Sequence, residues 1–363
     1  MGDGESEMTL NRPEPIDPAT DVIPFTKRRN SAEAVDELAA GRFVLVRDFF
    51  SSGLLVLAEL RKRVRQRCSG ESYEAQRERR TVFRELSHRL LLRVRGNQLL
   101  VRKAPEIGWL RVFYRDTDEF LIPFVQAQGL NSAWQWYQKG IAIPVLNDRV
   151  FPYYGTYFPT RFEHLEIFDE WLKGFDGKKT SAIDVGVGSG VITYQLMNRG
   201  FTKVVATDSN PNAIHGMREA IAKRDLGGKV ELLAGDLFAG NDQPADLIVF
   251  NPPWLPLASD REGLDLAMYY DDDLFPRFFA ETLNQLRPEG RLVLLFSNLA
   301  QVTQLTKVHP IEKEVENGGR WQKELLVKSR VKAASNKTRR NQTWREDEQV
   351  ELWVLKPRDG GVS

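Results

Sequence analysis

The residues best equipped for chemistry are Phe250-Asn251-Pro252-Pro253-Trp254, directly after the apolar run Leu247-Ile248-Val249. A buried strand that ends this way delivers a stiff polar and aromatic loop at its mouth. The prolines fix φ and remove two backbone donors, so the strand cannot continue through them. Asn251 brings a carboxamide and Trp254 a flat face. Alone, a Pro-Pro pair is a strand terminator; three motifs upstream give it a chemical setting.

The first is Asp184-Val185-Gly186-Val187-Gly188-Ser189-Gly190, between an apolar run and a helix beginning near Val191. Glycines there let the backbone turn sharply and approach a ligand closely. The spacing is not the Gly-x-Gly-x-x-Gly of pyrophosphate binders, since Val191 takes the last glycine's place. That, with the Asn-Pro-Pro-Trp loop, counts against an NAD(P)-linked oxidoreductase. Asp208 ends a second apolar run, where its carboxylate can accept both hydroxyls of a ribose or cap the helix from Asn212. Asp236, beside Leu237, ends a third, where a plain loop acid is the alternative. Together they mark the strand-end side on which open α/β sheets bind ligands.

Positioning these residues requires alternating strands and helices. Ala182–Val185, Val204–Thr207, Val230–Leu233, Leu247–Val249 and Leu292–Leu295 are short apolar runs separated by helix-length segments, the pattern of a parallel sheet with crossover helices. Leu325–Val327 and Val350–Val354 then suit an antiparallel hairpin closing a seven-stranded, Rossmann-like, doubly wound α/β sheet. A loop rich in proline and tyrosine, Val150–Arg161, and a helix over Phe162–Leu172 precede it.

In motif order this region resembles the class I S-adenosylmethionine-dependent methyltransferases, and Asn251-Pro252-Pro253-Trp254 is similar to the signature of the amino-methylating, small-methyltransferase group that includes HemK-like enzymes. The resemblance implies S-adenosyl-L-methionine as cofactor. It assigns Asp184, Gly186, Gly188 and Gly190 to the methionine portion, Asp208 to the ribose, and Asp236 with Leu237 to the adenine. It makes Asn251, Pro252, Pro253 and Trp254 the acceptor clamp. The amide oxygen of Asn251 and the carbonyl of Pro252 would bind the two hydrogens of a planar nitrogen, favouring its pyramidal, nucleophilic form. Trp254 would stack on the acceptor. Phe158-Pro159-Thr160-Arg161 and the tryptophan depart from the usual Pro-Arg-Pro-Glu-Thr segment and signature tyrosine. The implied acceptor is a macromolecule, a protein glutamine-type amide or the amino group of an RNA or DNA base. A non-catalytic binding module on the same fold is the reading from another class, disfavoured by the intact Asp184, Asp208 and Asn251.

The chain has 363 residues, about two domains' worth. Residues 1–28, with Pro13, Pro15 and Pro18 among acids, are expected to be a tail without fixed structure. Residues 29–140 are expected to form a basic mixed α+β substrate-recognition domain, residues 141–356 the methyltransferase domain, and 357–363 a short tail. In the amino-terminal domain Ser31 is read as the N-cap of a helix to Ala40, Phe43–Val46 as a strand, and Leu54, Leu55, Leu57, Leu60 and Val64 as the apolar stripe of a helix. Arg95-Gly96-Asn97-Gln98 reads as a hairpin turn and Trp109–Tyr114 as a strand.

Arg61-Lys62-Arg63, Arg65, Arg67, Arg79-Arg80, Arg84, Arg89, Arg93 and Arg95 form one basic cluster, and Lys328, Arg330, Lys332, Lys337, Arg339, Arg340 and Arg345 another, although net charge is only +1. One cysteine, Cys68, and four scattered histidines give no metal-ligand spacing, so no metal is expected. No apolar run spans a bilayer and no signal-type segment opens the chain, so a cytoplasmic protein without membrane contact is expected.

Overall fold

The computed structural model describes residues 9–70, 73–257, 268–332 and 347–358. Two compact units divide the chain, one of Leu10–Gln138 and one of Lys139–Ser363 together with Met1–Thr9.

The first unit contains β1 (Ile23–Phe25), α1 (Ser31–Ala39), β2 (Val44–Val46), α2 (Phe50–Arg67), α3 (Tyr73–Ser87), β3 (Leu90–Arg95), β4 (Gln98–Leu99), α4 (Gly108–Phe113), β5 (Glu119–Pro123) and most of α5 (Phe124–Lys139). β1, β2 and β3 are parallel, and β4 and β5 pair antiparallel with β3. The hairpin expectation holds, with Gly96 and Asn97 both at positive φ between β3 and β4. Four expectations do not. Residues 1–8 lie outside the described residues, but Ile16 bridges Leu121 and Ile23–Phe25 pair with Val44–Val46, so part of the expected tail joins the sheet. The N-cap is Asn30, whose side chain accepts from the Ala32 amide. The buried stripe of α2 is Gly53, Val56, Leu57, Leu60 and Val64, while Leu54 and Leu55 face outward. Trp109–Tyr114 is helical because Trp109, Leu110 and Phe113 bury one helix face, and Trp134 packs so close to Gly108 that a Cβ there would lie 2.2 Å from its ring.

The second unit opens with β6 (Ile141–Ile143), β7 (Asp148–Val150) and α6 (Glu163–Gly174). β8 (Ser181–Val185), α7 (Val191–Asn198), β9 (Lys203–Asp208), α8 (Pro211–Lys223), β10 (Val230–Ala234) and β11 (Ala245–Phe250) follow. The short pair β12 (Leu255–Pro256) and β13 (Tyr269–Tyr270) precedes α9 (Leu274–Gln285), β14 (Leu286–Ser297), α10 (Leu299–Val302), α11 (Pro310–Asn317), β15 (Trp321–Arg330) and β16 (Gln349–Pro357). The main sheet runs β10-β9-β8-β11-β14-β16-β15, with the first five strands parallel and β16 antiparallel to both of its neighbours. This is the expected Rossmann-like seven-stranded sheet, although β16 continues to Pro357, where a tail was expected. Residues 359–363 and the basic residues Lys337, Arg339, Arg340 and Arg345 lie outside the described residues.

β8, β9, β11 and β14 are buried on both faces, which explains their unbroken apolar runs. One core, including Leu165, Phe168, Leu196, Ile214 and Val249, fills one side of the sheet; another, including Phe250, Phe278, Phe279, Phe296, Trp321 and Trp353, fills the other. From β8 the chain winds outward to β9 and β10, then returns to place β11 on the other side of β8. The crevice between the carboxy-terminal ends of β8 and β11 is therefore the topological switch point, where such sheets take their ligands.

Candidate active site

Strand register sets the order of the site. Val185 pairs with both Thr207 and Phe250, so Gly186, Asp208 and Asn251, each the next residue along, emerge from three adjacent strands. Asp208 also pairs with Ala234, which places Asp236 just beyond the fourth strand. With neighbouring strands about 4.8 Å apart, the four motifs occupy one row along the sheet's edge.

Asp184 is fully buried in β8. Thr193, in the first turn of α7, donates its hydroxyl to Oδ2 at 2.6 Å and its backbone amide to the same carboxyl, and Oδ1 has no hydrogen-bond partner among the described residues. Burial pushes its carboxyl up to about 7, reinforced by the negative charge of Asp208. Asp208 accepts the Gly188 amide on Oδ2 at 2.9 Å and the Asn210 amide on Oδ1 at 2.8 Å. Loss of solvent raises its carboxyl in spite of those two amides. It does not cap α8; the Asn210 side chain does, accepting from Asn212.

The glycine loop turns back on itself, with Gly188 at φ +50° and Gly190 at φ +84°. A Cβ at Gly188 would sit 3.1 Å from the carbonyl oxygen of Tyr157, and one at Gly190 would collide with Met217. The segment 151–162 thus crosses directly over the glycine loop. Two asparagines tie it there, Asn210 donating to the Gly155 carbonyl and Asn212 to that of Tyr154. The Tyr157 side chain stays partly exposed beside the glycine loop.

Asp236 is exposed and held by Arg277 of α9 at 2.6 Å, an arginine that also pairs with Asp273. Leu237 is buried at φ +45°, and its carbonyl accepts the Thr207 hydroxyl. Leu237 therefore packs into the core just past β10, whereas the Asp236 carboxylate turns to Arg277.

On the other side of β8, the Trp254 indole N–H donates to Asn251 Oδ1 at 3.1 Å and to the Leu295 carbonyl at 3.3 Å. The edge of the indole is thus committed within the clamp, and Trp254 packs partly into the core beneath it. Asn251 Oδ1 keeps a second lone pair. His164 of α6 stands perpendicular to the Trp254 ring, with centroids 5.3 Å apart.

Reading the sequence did not reveal Thr193, Asn210, Asn212, Tyr157, Arg277 or His164 as site residues. Their only sequence signal was proximity to a motif, and for Arg277 and His164 not even that.

The residues fit the proposed cofactor on their own terms. Asp184 Oδ1 has no partner among the described residues, and the buried Asp184 and the half-buried Asp208, each with a raised carboxyl pKa, suit a cation and hydrogen-bond donors. S-adenosylmethionine carries both.

Residues 169–319 match the methyltransferase small domain family, wholly within the second unit. A putative protein N5-glutamine methyltransferase of Methanocaldococcus jannaschii is 29% identical over 163 residues, covering 42% of this chain and 81% of that protein. A release factor glutamine methyltransferase of Deinococcus radiodurans is 37% identical over 128 residues, 32% of this chain and 45% of its own. A ribosomal RNA small subunit methyltransferase C of Alcanivorax borkumensis is 29% identical over 172 residues, 47% of each chain. The alignments thus span under half of the latter two relatives. No helix among the described residues is long and apolar enough to cross a membrane. Within the second unit, residues 169–319 are thus similar to the methyltransferase small domain, the same stretch that carries the glycine loop, Asp208 and Asn251.

Proposed function

We propose that this protein methylates a planar nitrogen of a macromolecule, with a protein glutamine-type amide as the acceptor. The observation that carries the reading is the register that brings Asn251 out beside Gly186 at the switch point. When bound, S-adenosylmethionine supplies a methyl on a cationic sulfonium, together with an ammonium group. Asp184 and Asp208, whose ionisation is suppressed by burial, would favour and be favoured by those charges. Asp208 has lone pairs left for ribose hydroxyls beyond its two amide contacts, and Leu237 offers an apolar wall for the adenine.

The remaining lone pair of Asn251 Oδ1 and the Pro252 carbonyl would accept the two N–H hydrogens of the acceptor. Amide and arylamine nitrogens are poor nucleophiles because their lone pair is delocalised. Hydrogen bonds that strengthen as nitrogen becomes positive favour the transition state over the ground state. The nitrogen then sheds its proton after transfer, so no strong base is required.

Two of the similar proteins carry glutamine methyltransferase in their names, which supports the amide acceptor. A nucleic-acid base is the second reading, favoured by one observation. α2 carries Arg61, Lys62, Arg63, Arg65 and Arg67 against Glu59, with Arg61, Lys62, Arg65 and Arg67 exposed, a charge excess suited to phosphates. Labelled S-adenosylmethionine incubated with cell extract separates the two: label removed by protease supports the amide, and label removed by nuclease replaces it with the base. Absence of any transfer to macromolecules would overturn both.

A further inference from the structure

We propose that His164 is a positioning residue for the acceptor clamp, acting through Trp254 to hold the Asn251 carboxamide in its working orientation. This rests on reading Asn251 as the acceptor's hydrogen-bond partner. Nothing in the sequence pattern points to His164, which lies more than eighty residues from the clamp.

Four observations converge on it. His164 is 1% exposed, and neither ring nitrogen has a hydrogen-bond partner among the described residues. Buried polar atoms without partners are uncommon in folded proteins and each calls for a reason. Its ring meets Trp254 at 88°, the edge-to-face arrangement in which a polarised ring edge is drawn to a π face. Burial lowers its pKa to about 4, so the ring is neutral and places no charge beside a cationic donor.

The stretch around it is fixed from two sides. Arg161 pairs with the buried Glu348 at 3.0 Å, and Glu163 Oε1 accepts the Lys332 amide at 2.9 Å. Those partners lie beside β15 and β16, on which α6 packs. His164 is therefore a rigid wall rather than a mobile side chain.

Trp254 connects this wall to Asn251, meeting His164 ring to ring and donating to Asn251 Oδ1. Its N–H is shared between Asn251 Oδ1 and the Leu295 carbonyl, so a small rotation of the indole would favour one acceptor at the other's expense. A perpendicular ring against the indole opposes that rotation. A tyrosine or phenylalanine at 254 has no N–H in this place, so the tryptophan makes the device possible.

The test uses the full chain, with methyl transfer from tritiated S-adenosylmethionine into extract of cells lacking the enzyme, and donor-site affinity measured by calorimetry with S-adenosylhomocysteine. Trp254→Phe keeps the aromatic face and removes the N–H; its transfer rate should fall about fivefold to tenfold, the worth of one hydrogen bond. His164→Ala should lower the rate similarly with cofactor affinity changed less than twofold. His164→Phe, which restores a ring, should recover most of the loss. The double variant His164→Ala, Trp254→Phe should be within twofold of Trp254→Phe alone, because both remove the same device.

Multiplying losses in the double variant, equal loss of cofactor affinity and rate in His164→Ala, or no recovery in His164→Phe would each overturn the inference. So would a wild-type rate in His164→Ala when Asn251→Ala is inactive. A wild-type rate in Asn251→Ala would instead remove the clamp reading beneath it. The indole N–H resonance of Trp254, identified by its disappearance in Trp254→Phe, should shift in His164→Ala without any acceptor present. An unmoved resonance would show that His164 does not set the indole.

Discussion

At the amino-terminal end of the parallel sheet, Asp246 of β11 accepts the backbone amides of Thr180 and Ser181 and pairs with Arg287 at 3.0 Å. Burial opposes its ionisation, but these partners outweigh it and hold the carboxyl below its ordinary value. At the carboxy-terminal end, Asp184 of the adjacent β8 is held by Thr193 alone, has an oxygen with no partner among the described residues, and its carboxyl is pushed the other way, to about 7. Both side chains are almost wholly buried, on neighbouring strands of one sheet. Asp184 lies much deeper than Asp246, whose partner Arg287 reaches solvent, so depth of burial and completeness of solvation by the protein together separate them. One end is completed by the protein, and the other keeps an open oxygen, as the cofactor role proposed for Asp184 requires.

The largest effect that can break this comparison is on turnover. Asn251→Ala should reduce methyl transfer by roughly a hundredfold or more, the scale of removing one well-placed transition-state hydrogen bond. Calorimetry should find its S-adenosylhomocysteine affinity changed by less than about threefold, within ordinary mutational scatter. Asp208→Ala should do the reverse to the cofactor, weakening binding by about thirtyfold or more as the ribose contacts and the Gly188 tether are lost together. Equal affinity loss in the two variants would remove the division of labour between β9 and β11.

Next in size is stability. Asp246→Asn should destabilise the protein by about 2 kcal/mol at pH 7, since it weakens a charge-assisted contact and puts a donor amide against donors. Asp184→Asn should instead stabilise the ligand-free protein at pH 8 by roughly 1–3 kcal/mol. The sign follows from the direction of the shift. A carboxyl whose folded pKa is raised costs stability wherever its unfolded form would be ionised, so the penalty grows as pH rises from 3.8 to about 7, is constant above, and vanishes below that window. Denaturation at pH 8 and pH 4 checks it: a gain from Asp184→Asn that is as large at pH 4 would refute the electrostatic cause.

The smallest effect concerns a third buried carboxylate. Glu351 accepts from Lys328 and Trp353 and contacts His309 at 3.0 Å. Burial works against it, but these partners draw its carboxyl down to about 2. The stability it contributes is present above its unfolded pKa and is lost as pH falls toward 2. Glu351→Gln should therefore destabilise by about 1–2 kcal/mol at pH 7 and by little at pH 2.5, as followed by urea titration. It belongs with Asp246, and an equal loss at both pH values would separate it from that class.

The sheet was legible in the sequence because β8, β9, β11 and β14 are buried on both faces, which forces unbroken apolar runs bounded by Gly, Asp and Pro. The row of Asp184, Asp208, Asp236 and Asn251 followed, since each sits where such a run stops. The first unit was harder to read. Trp109–Tyr114 has the aromatic and β-branched content of a strand, and only its packing against Gly108 and Trp134 makes it a helix. β1 looked like part of a proline-rich tail because its three residues gain their order entirely from Val44–Val46 across the sheet. Within the site, contacts of high sequence separation stayed hidden. His164 against Trp254 and Arg277 against Asp236 are meetings of distant segments, and no local pattern encodes a partner.

β16 follows β15 in the chain yet lies inside it in the sheet, between β14 and β15. During synthesis, β15 emerges from the ribosome with no strand to pair with, and the gap beside β14 stays open until residues 349–357 arrive. The Glu348 anchor of Arg161 arrives at the same moment. The acceptor side of the site is thus among the last parts of the nascent chain to be assembled, after the glycine loop and Asp208 already have their neighbours. A growing polypeptide could then acquire its cofactor site before it has the surroundings of its acceptor site, and a chain cut short before β16 would lose a central seam rather than an edge.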